Sequence, residues 1–127
     1  MIENLKKLEN LINSELTSKI QSSFIANDEL TIEINENDLI EIVQFLKSNE
    51  KCKFRQLIDI AGVDYPNEER RFKLVYLFLS HENNCRIKLS INFQPKQIIN
   101  SITKIFPAAN WMEREVFDMY GIKFKNH

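Results

Sequence analysis

The stretch Phe72-Lys73-Leu74-Val75-Tyr76-Leu77-Phe78-Leu79-Ser80-His81-Glu82-Asn83-Asn84-Cys85-Arg86-Ile87-Lys88-Leu89-Ser90-Ile91-Asn92-Phe93 decides the fold class. Phe72 to Leu79 is apolar at every position but Lys73, the composition of a strand covered on both faces. From Cys85 onward the pattern alternates, with Cys85, Ile87, Leu89, Ile91 and Phe93 set against Arg86, Lys88, Ser90 and Asn92. That second strand turns one polar face toward water or a partner. Between the runs, His81-Glu82-Asn83-Asn84 supplies turn chemistry.

Upstream, Phe54 to Val63 is another strand-like run, polar only at Arg55, Gln56 and Asp59, and Pro66-Asn67-Glu68-Glu69 links it to Phe72. An antiparallel meander is expected. Further back, Leu30, Ile32 and Ile34 alternate with Glu29, Thr31, Glu33 and Asn35, and the turn residues Asn27-Asp28 join this strand to a short one at Phe24-Ile25-Ala26. Helical spacing marks the segments around these strands. Leu5, Leu8, Ile12, Leu16 and Ile20 predict an opening helix from Met1 to about Ile20. Leu39, Ile42, Val43 and Leu46 predict a second, capped by Asn35 or Asn37, with Glu36 and Asp38 at the positive end of its dipole. Pro95 is expected to start a third, burying Ile98, Ile102, Ile105 and Phe106 and ending at Pro107. Pro107 and Gly121 bound a fourth, with Met112, Val116 and Met119 or Tyr120 as its apolar stripe and Glu113, Arg114, Glu115 and Asp118 on the face away from it. The order helix-β-β-helix-β-β-β-helix-helix predicts an α+β, two-layer fold whose sheet is mixed but largely antiparallel, with the helices mostly on one face.

At 127 residues, 1–127 is expected to be a single domain. A hydrophobic fraction of 43% with 2 Gly and 3 Pro argues against disorder. Lys+Arg 17 against Asp+Glu 18 leaves net charge -1, which gives no basic field for nucleic acid or an anionic membrane. No apolar run approaches the roughly 20 residues that span a bilayer, and the charged start Met1-Ile2-Glu3-Asn4-Leu5-Lys6-Lys7 resembles neither a secretory nor a transit signal. Cys52 and Cys85 lack CxxC spacing, so they read as reduced, buried small hydrophobes rather than zinc or iron–sulfur ligands.

Chemistry-bearing motifs are sparse. The chain has no GxGxxG, GxxxxGK[ST], HExxH or GxSxG. His81 falls in a turn, and His127 alone is no metal site. Glu113 and Glu115 are two apart on a helix and point to nearly opposite sides; Glu115 and Asp118 could share a ligand, yet Arg114 is a simpler ion-pair partner for that group. Asp59, if buried, needs a partner such as Arg55 or Arg71, and Asp64 beside Tyr65 and Pro66 is a further carboxylate to place. Trp111, Phe117 and Tyr120 beside Arg114 have the composition of an interface anchor, although Phe117 serves equally well as core.

The run Pro107-Ala108-Ala109-Asn110-Trp111, then Glu113-Arg114-Glu115, Asp118, Gly121-Ile122, Phe124 and the nearby His127 resembles the signature of the C subunit of the bacterial proton-translocating NADH:quinone oxidoreductase, respiratory complex I. A weaker likeness extends through Phe54-Arg55-Gln56-Leu57-Ile58-Asp59 and Gly62-Val63-Asp64-Tyr65. The resemblance implies a peripheral-arm subunit with no catalytic residues and no cofactor of its own, since NADH, FMN, iron–sulfur clusters and quinone are bound by other subunits. It implies docking on the D-subunit homologue with the B and I subunits nearby, at the cytoplasmic side of a bacterial inner membrane, reached only through the complex. Trp111, Glu113, Arg114, Glu115, Asp118, Gly121 and Phe124 become the expected docking residues. Related energy-converting hydrogenases carry an equivalent subunit, the alternative assignment. The family continues past its His into a Pro-containing segment and an extended C-terminal arm that this sequence, ending at His127, lacks; a piece cut at a domain edge and a naturally short homologue both fit. A small enzyme would instead need Asp59, His81 and the Glu115/Asp118 pair in one pocket.

Overall fold

The structure is a computed structural model that describes residues 2–127, with side chains from Asn4 onward. Met1, the expected first residue of the opening helix, lies outside them. Helix α1 (Ile2–Glu15) buries Leu5, Leu8 and Ile12. It stops short of Ile20 because Thr17 and Ser18 enter a 3₁₀ turn, where Thr17 Oγ1 donates to Asn13 O at 2.6 Å. Ile20 thereby becomes the first residue of β1 (Ile20–Ala26), which pairs with β2 (Glu29–Ile34) through Asn27 and Asp28 at φ 52° and 60°. Two successive positive values suit a tight hairpin, and Asn and Asp tolerate them.

Asn35 Oδ1 accepts the Asn37 N–H at 2.9 Å and caps a 3₁₀ turn at Glu36–Asp38, which leads into α2 (Leu39–Ser48). The expected buried face is present: Leu39, Ile42, Val43 and Leu46 are inaccessible to solvent. Strands β3 (Gln56–Asp64), β4 (Phe72–Ser80) and β5 (Cys85–Phe93) form the predicted meander. β2 then lies parallel to β5, Leu30 opposite Ile87, giving a five-stranded mixed sheet in the order β1-β2-β5-β4-β3. The helices cover one face of it. Leu30, Ile32 and Ile34 of β2, Tyr76 and Phe78 of β4 and Phe93 of β5 share one core with the α1 and α2 stripes.

Two expectations fail. β3 and β4 are not covered on both faces: β4 alternates, with Phe72, Leu74, Tyr76, Phe78 and Ser80 buried and the intervening Lys73, Val75, Leu77 and Leu79 partly exposed. Asp59 is exposed, so its place in an apolar run creates no buried charge. The helix expected after Pro95 does not form. Gln97 closes a single turn with Gln94, accepting its N–H on Oε1 at 2.7 Å, and sends its amide nitrogen to the buried Glu36. From there the backbone donors leave the helical direction: Ile99 N–H goes to Lys123 O at 3.0 Å and Ser101 N–H to Lys125 O at 2.9 Å. These bonds make a two-stranded parallel pair of β6 (Ile99–Asn100) and β7 (Phe124–Lys125). Ile99, Ile102, Ile105 and Phe106 are buried as side chains on an irregular segment, whereas Ile98 is 58% exposed. Lys47 of α2 pins this segment by donating to Ile105 O at 2.6 Å, its ammonium 5.2 Å from the Phe106 ring centre. The described residues thus form three α-helices rather than four.

Candidate docking surface at the C-terminal helix

Helix α3 (Ala109–Tyr120) ends as its sequence requires: Gly121 sits at φ 72°, ψ 13°, and its N–H donates to Phe117 O at 2.8 Å. Ala109, Glu113 and Val116 are buried, with Met112 and Tyr120 half-buried beside them. Glu113 is thus on the inner face, not the outer one expected for it. The expected stripe also loses Met119, which is 74% exposed. Tyr120 reaches the sheet by lying over Gly62 of β3, where an added Cβ would stand 2.7 Å from the ring. Its ring also meets Phe72 edge-on at 6.4 Å.

The Glu113 carboxylate is fully buried and is the polar centre of this end of the molecule. Ser101 Oγ donates to its Oε1 at 2.6 Å and the Ile102 N–H to its Oε2 at 2.9 Å, so one side chain ties α3 to the segment that replaces the expected helix. His127 Nε2 stands 3.9 Å from Oε1 and 3.0 Å from Asn110 O. Burial raises the carboxyl pKa above 4.5, a shift opposed by the Ser101 and Ile102 hydrogen bonds and by His127. The folded chain therefore holds this proton more tightly than the unfolded one. Glu113 contributes stability that is present at pH below about 4.5 and is lost as pH rises through the folded-state pKa. Urea melts across that window should show a decline in stability that Glu113→Gln removes. Asp64 has the opposite sign, because its bidentate pairing with Arg71 at 2.6 and 2.9 Å lowers its pKa, so its contribution disappears as pH falls.

Tyr76 is buried on β4, and its Oη has no hydrogen-bond partner among the described residues. Burial first, and then the Glu113 charge, push its pKa far up. A lone buried hydroxyl is unfavourable, so Tyr76→Phe should leave stability unchanged or raise it by up to about 1–2 kcal/mol, read from the urea midpoint.

The outer face of α3 carries Trp111 (67% exposed), Phe117, Met119, Arg114, Glu115 and Asp118. Neither Trp111 nor Phe117 fills the core. Among the described residues Arg114 makes no ion pair, although Asp118 is one turn away. Beside this face lies a concavity of about 520 Å³ lined by Glu113, Arg114, Phe117, Lys123, Phe124 and His127. Of the motif residues, Trp111, Arg114, Glu115 and Asp118 are thus displayed, Phe124 is half-buried at the rim, and Glu113 and Gly121 have internal duties. Residues 32–127 match the family described as "Respiratory-chain NADH dehydrogenase, 30 Kd subunit". The chain belongs to that family.

Its relatives include the C subunit of NADH-quinone oxidoreductase from Chelativorans sp., 42% identical over 127 residues, all of this chain and 64% of the relative. The protein of the same description from Dinoroseobacter shibae is 43% identical, again over all of this chain and 59% of the relative. The chain therefore spans about three fifths of the length of these relatives. In fold it is similar to the trypsin-resistant fragment (1-134) of Nqo5, with TM-score 0.80 at 23% identity over 98% of this chain and 97% of that one. It is also similar to a chain of an archaeal respiratory membrane complex, the membrane-bound sulfane sulfur reductase, with TM-score 0.79 at 20% identity over 95% of this chain and 72% of that one. These likenesses establish the α+β fold for this member of the 30 kDa subunit family.

The residues that a small enzyme would need are not gathered at this concavity or at the one beside α1, since Asp59, His81, Glu115 and Asp118 line neither. His81 lies in the β4–β5 turn with its Nε2 2.6 Å from Gln56 Oε1, and Arg55 pairs with Glu82 at 3.0 Å rather than with Asp59. Among the described residues no three His, Cys, Asp or Glu side chains converge as a metal site. Cys52 is buried and its thiol pKa is pushed up to about 11, with Cys85 raised by the same desolvation. Among the described residues no helix is long and apolar enough to cross a membrane. Sequence reasoning misses Ser101, Ile102 and Tyr76 as neighbours of the motif. Only the Ser-Ile-Thr run at 101–103, poor in helix formers, hints at an irregular segment.

Proposed function

We propose that this chain is a non-catalytic peripheral-arm subunit of a proton-pumping NADH:quinone oxidoreductase, docking through α3 on the D-subunit homologue with the B and I subunits nearby. The observation that carries the reading is the outer face of α3. There exposed Trp111 and Phe117 stand three residues to either side of Arg114, unpaired among the described residues, on a helix within the residues that match the family. Large exposed apolar side chains around Arg are what the centre of a protein interface requires. In this reading NADH, FMN, iron–sulfur clusters and quinone bind to partner subunits, the chain itself holds no cofactor, and it reaches the cytoplasmic side of the bacterial inner membrane through the complex alone. Its part in electron transfer from NADH to quinone is to keep the arm assembled.

The test is recovery of the native protein from solubilised membranes with its partners identified by mass spectrometry. Quinone-module and NADH-oxidising subunits should be recovered, and Arg114→Ala or Glu115→Ala should reduce that recovery while the domain stays folded. A soluble monomer without partners would overturn the reading. A second reading is the alternative that the family resemblance of the sequence carries, the equivalent subunit of an energy-converting membrane-bound hydrogenase. Recovery of hydrogenase subunits in the same experiment would favour it.

A further inference from the structure

We infer that the concavity between the middle of α3, Glu113 to Phe117, and the segment Lys123 to His127 is a subsite for an acidic segment of a partner protein that carries an apolar side chain among its carboxylates. The inference rests on the docking reading and adds the chemistry of what is docked. Arg114 and Lys123 both line it, and neither has an ion-pair partner among the described residues. His127 adds a third nitrogen base at the rim. The single acid of the lining, Glu113, is fully buried, and both of its oxygens already accept hydrogen bonds from Ser101 and Ile102, so it neutralises the cations poorly. Phe117 and half-buried Phe124 supply the apolar part of the lining.

A volume of about 520 Å³ is enough for one or two side chains of a peptide. An occupant must therefore bring negative charge to Arg114 and Lys123 and an apolar group to the two phenylalanines. Nucleic acid fits poorly, because the chain as a whole carries net charge -1 and this positive region is local. The guanidinium of Arg114 can take a carboxylate through paired donors, while Lys123 serves as a point charge; carboxylates one or two positions apart along a partner loop would meet both.

The experiment is a two-dimensional NMR titration of the isotopically labelled 127-residue chain with three probes. They are an acidic hexapeptide containing one phenylalanine, the same peptide with its acids replaced by lysine, and inorganic phosphate. The acidic peptide should shift the amides of Glu113 to Phe117, Lys123 and Phe124, and the lysine peptide should leave them unmoved. Arg114→Ala and Lys123→Ala should each weaken binding about three- to five-fold, as expected for partly exposed charge pairs, without altering the thermal melt. Equal shifts with both peptides, shifts scattered over the surface, or phosphate matching the acidic peptide would each overturn the inference. Lys123→Ala, which the docking reading does not use, is then carried through the membrane recovery experiment. Full recovery of partner subunits despite its weakened peptide binding would overturn the subsite and leave the docking reading standing. Failure of the unmodified chain to recover respiratory subunits would overturn the docking reading whatever the titration shows.

Discussion

Glu113→Ala should lower the unfolding free energy by about 2–4 kcal/mol, measured by urea denaturation near neutral pH. The substitution leaves a void and strands the Ile102 N–H, a buried donor without an acceptor that costs about 1–3 kcal/mol, while the Ser101 hydroxyl loses its charged acceptor and can turn only to Thr103 Oγ1 at 2.9 Å. Loss of the costly buried carboxylate offsets part of this. Glu113→Gln is the informative companion, because its amide oxygen can still accept one donor while its NH₂ can donate to Ser101 Oγ; a loss of about 1 kcal/mol is expected. An alanine effect below about 0.5 kcal/mol, the range of ordinary surface changes, would show that the carboxylate does not hold the segment to α3.

Gly62→Val should cost about 1–3 kcal/mol for a different reason, overpacking. Gly62 has ordinary backbone angles, so no conformational demand explains its presence. What it supplies is space, since a Cβ there would lie 2.7 and 2.8 Å from carbon atoms of the Tyr120 ring. The ring must tilt or α3 must lift from β3. Combining Gly62→Val with Tyr120→Ala should recover part of the loss, because the clash disappears with the ring; strict additivity of the two costs would argue against this contact. Gly121→Ala provides a contrast, as nothing lies within 4 Å of its added Cβ and only the positive φ is strained.

β2, β5 and the helices α1 and α2 can be read from the sequence because each is written in a local period that the tertiary structure respects, whereas β3 and β4 are legible as strands from their apolar runs but not in which face they bury. Asn27-Asp28 and Gly121 are equally legible, their backbone conformations being the ones those residues favour. The spacing after Pro95 misleads for a physical reason. Ile98, Ile102 and Ile105 sit at helical intervals, but Ile99, Ser101 and Ile102 send their N–H groups to β7 and to Glu113, partners that lie far along the chain. Glu113 shares the inner face with Ala109 and Val116, four residues before it and three after, and the long-range bonds to Ser101 and Ile102 satisfy its carboxylate there. Charge pattern alone assigns a glutamate to water, and nothing within four residues of Glu113 announces that Ser101 will be waiting for it. Arg114, Glu115, Asp118 and Trp111 keep the outward position that their helical spacing implies.

The parallel seam between β2 and β5 has a consequence for how the chain reaches this state. The β1–β2 hairpin and the β3–β4–β5 meander each close through neighbours in sequence, whereas the seam brings Leu30 to Ile87 and Glu33 to Ser90. Neither half can seal its apolar side against the other until that distant closure happens, and its loop entropy is spent before the contacts repay it. Of the pairings in the sheet, the seam therefore closes the longest loop. Until it closes, the apolar sides of both halves stay open to water and to other chains.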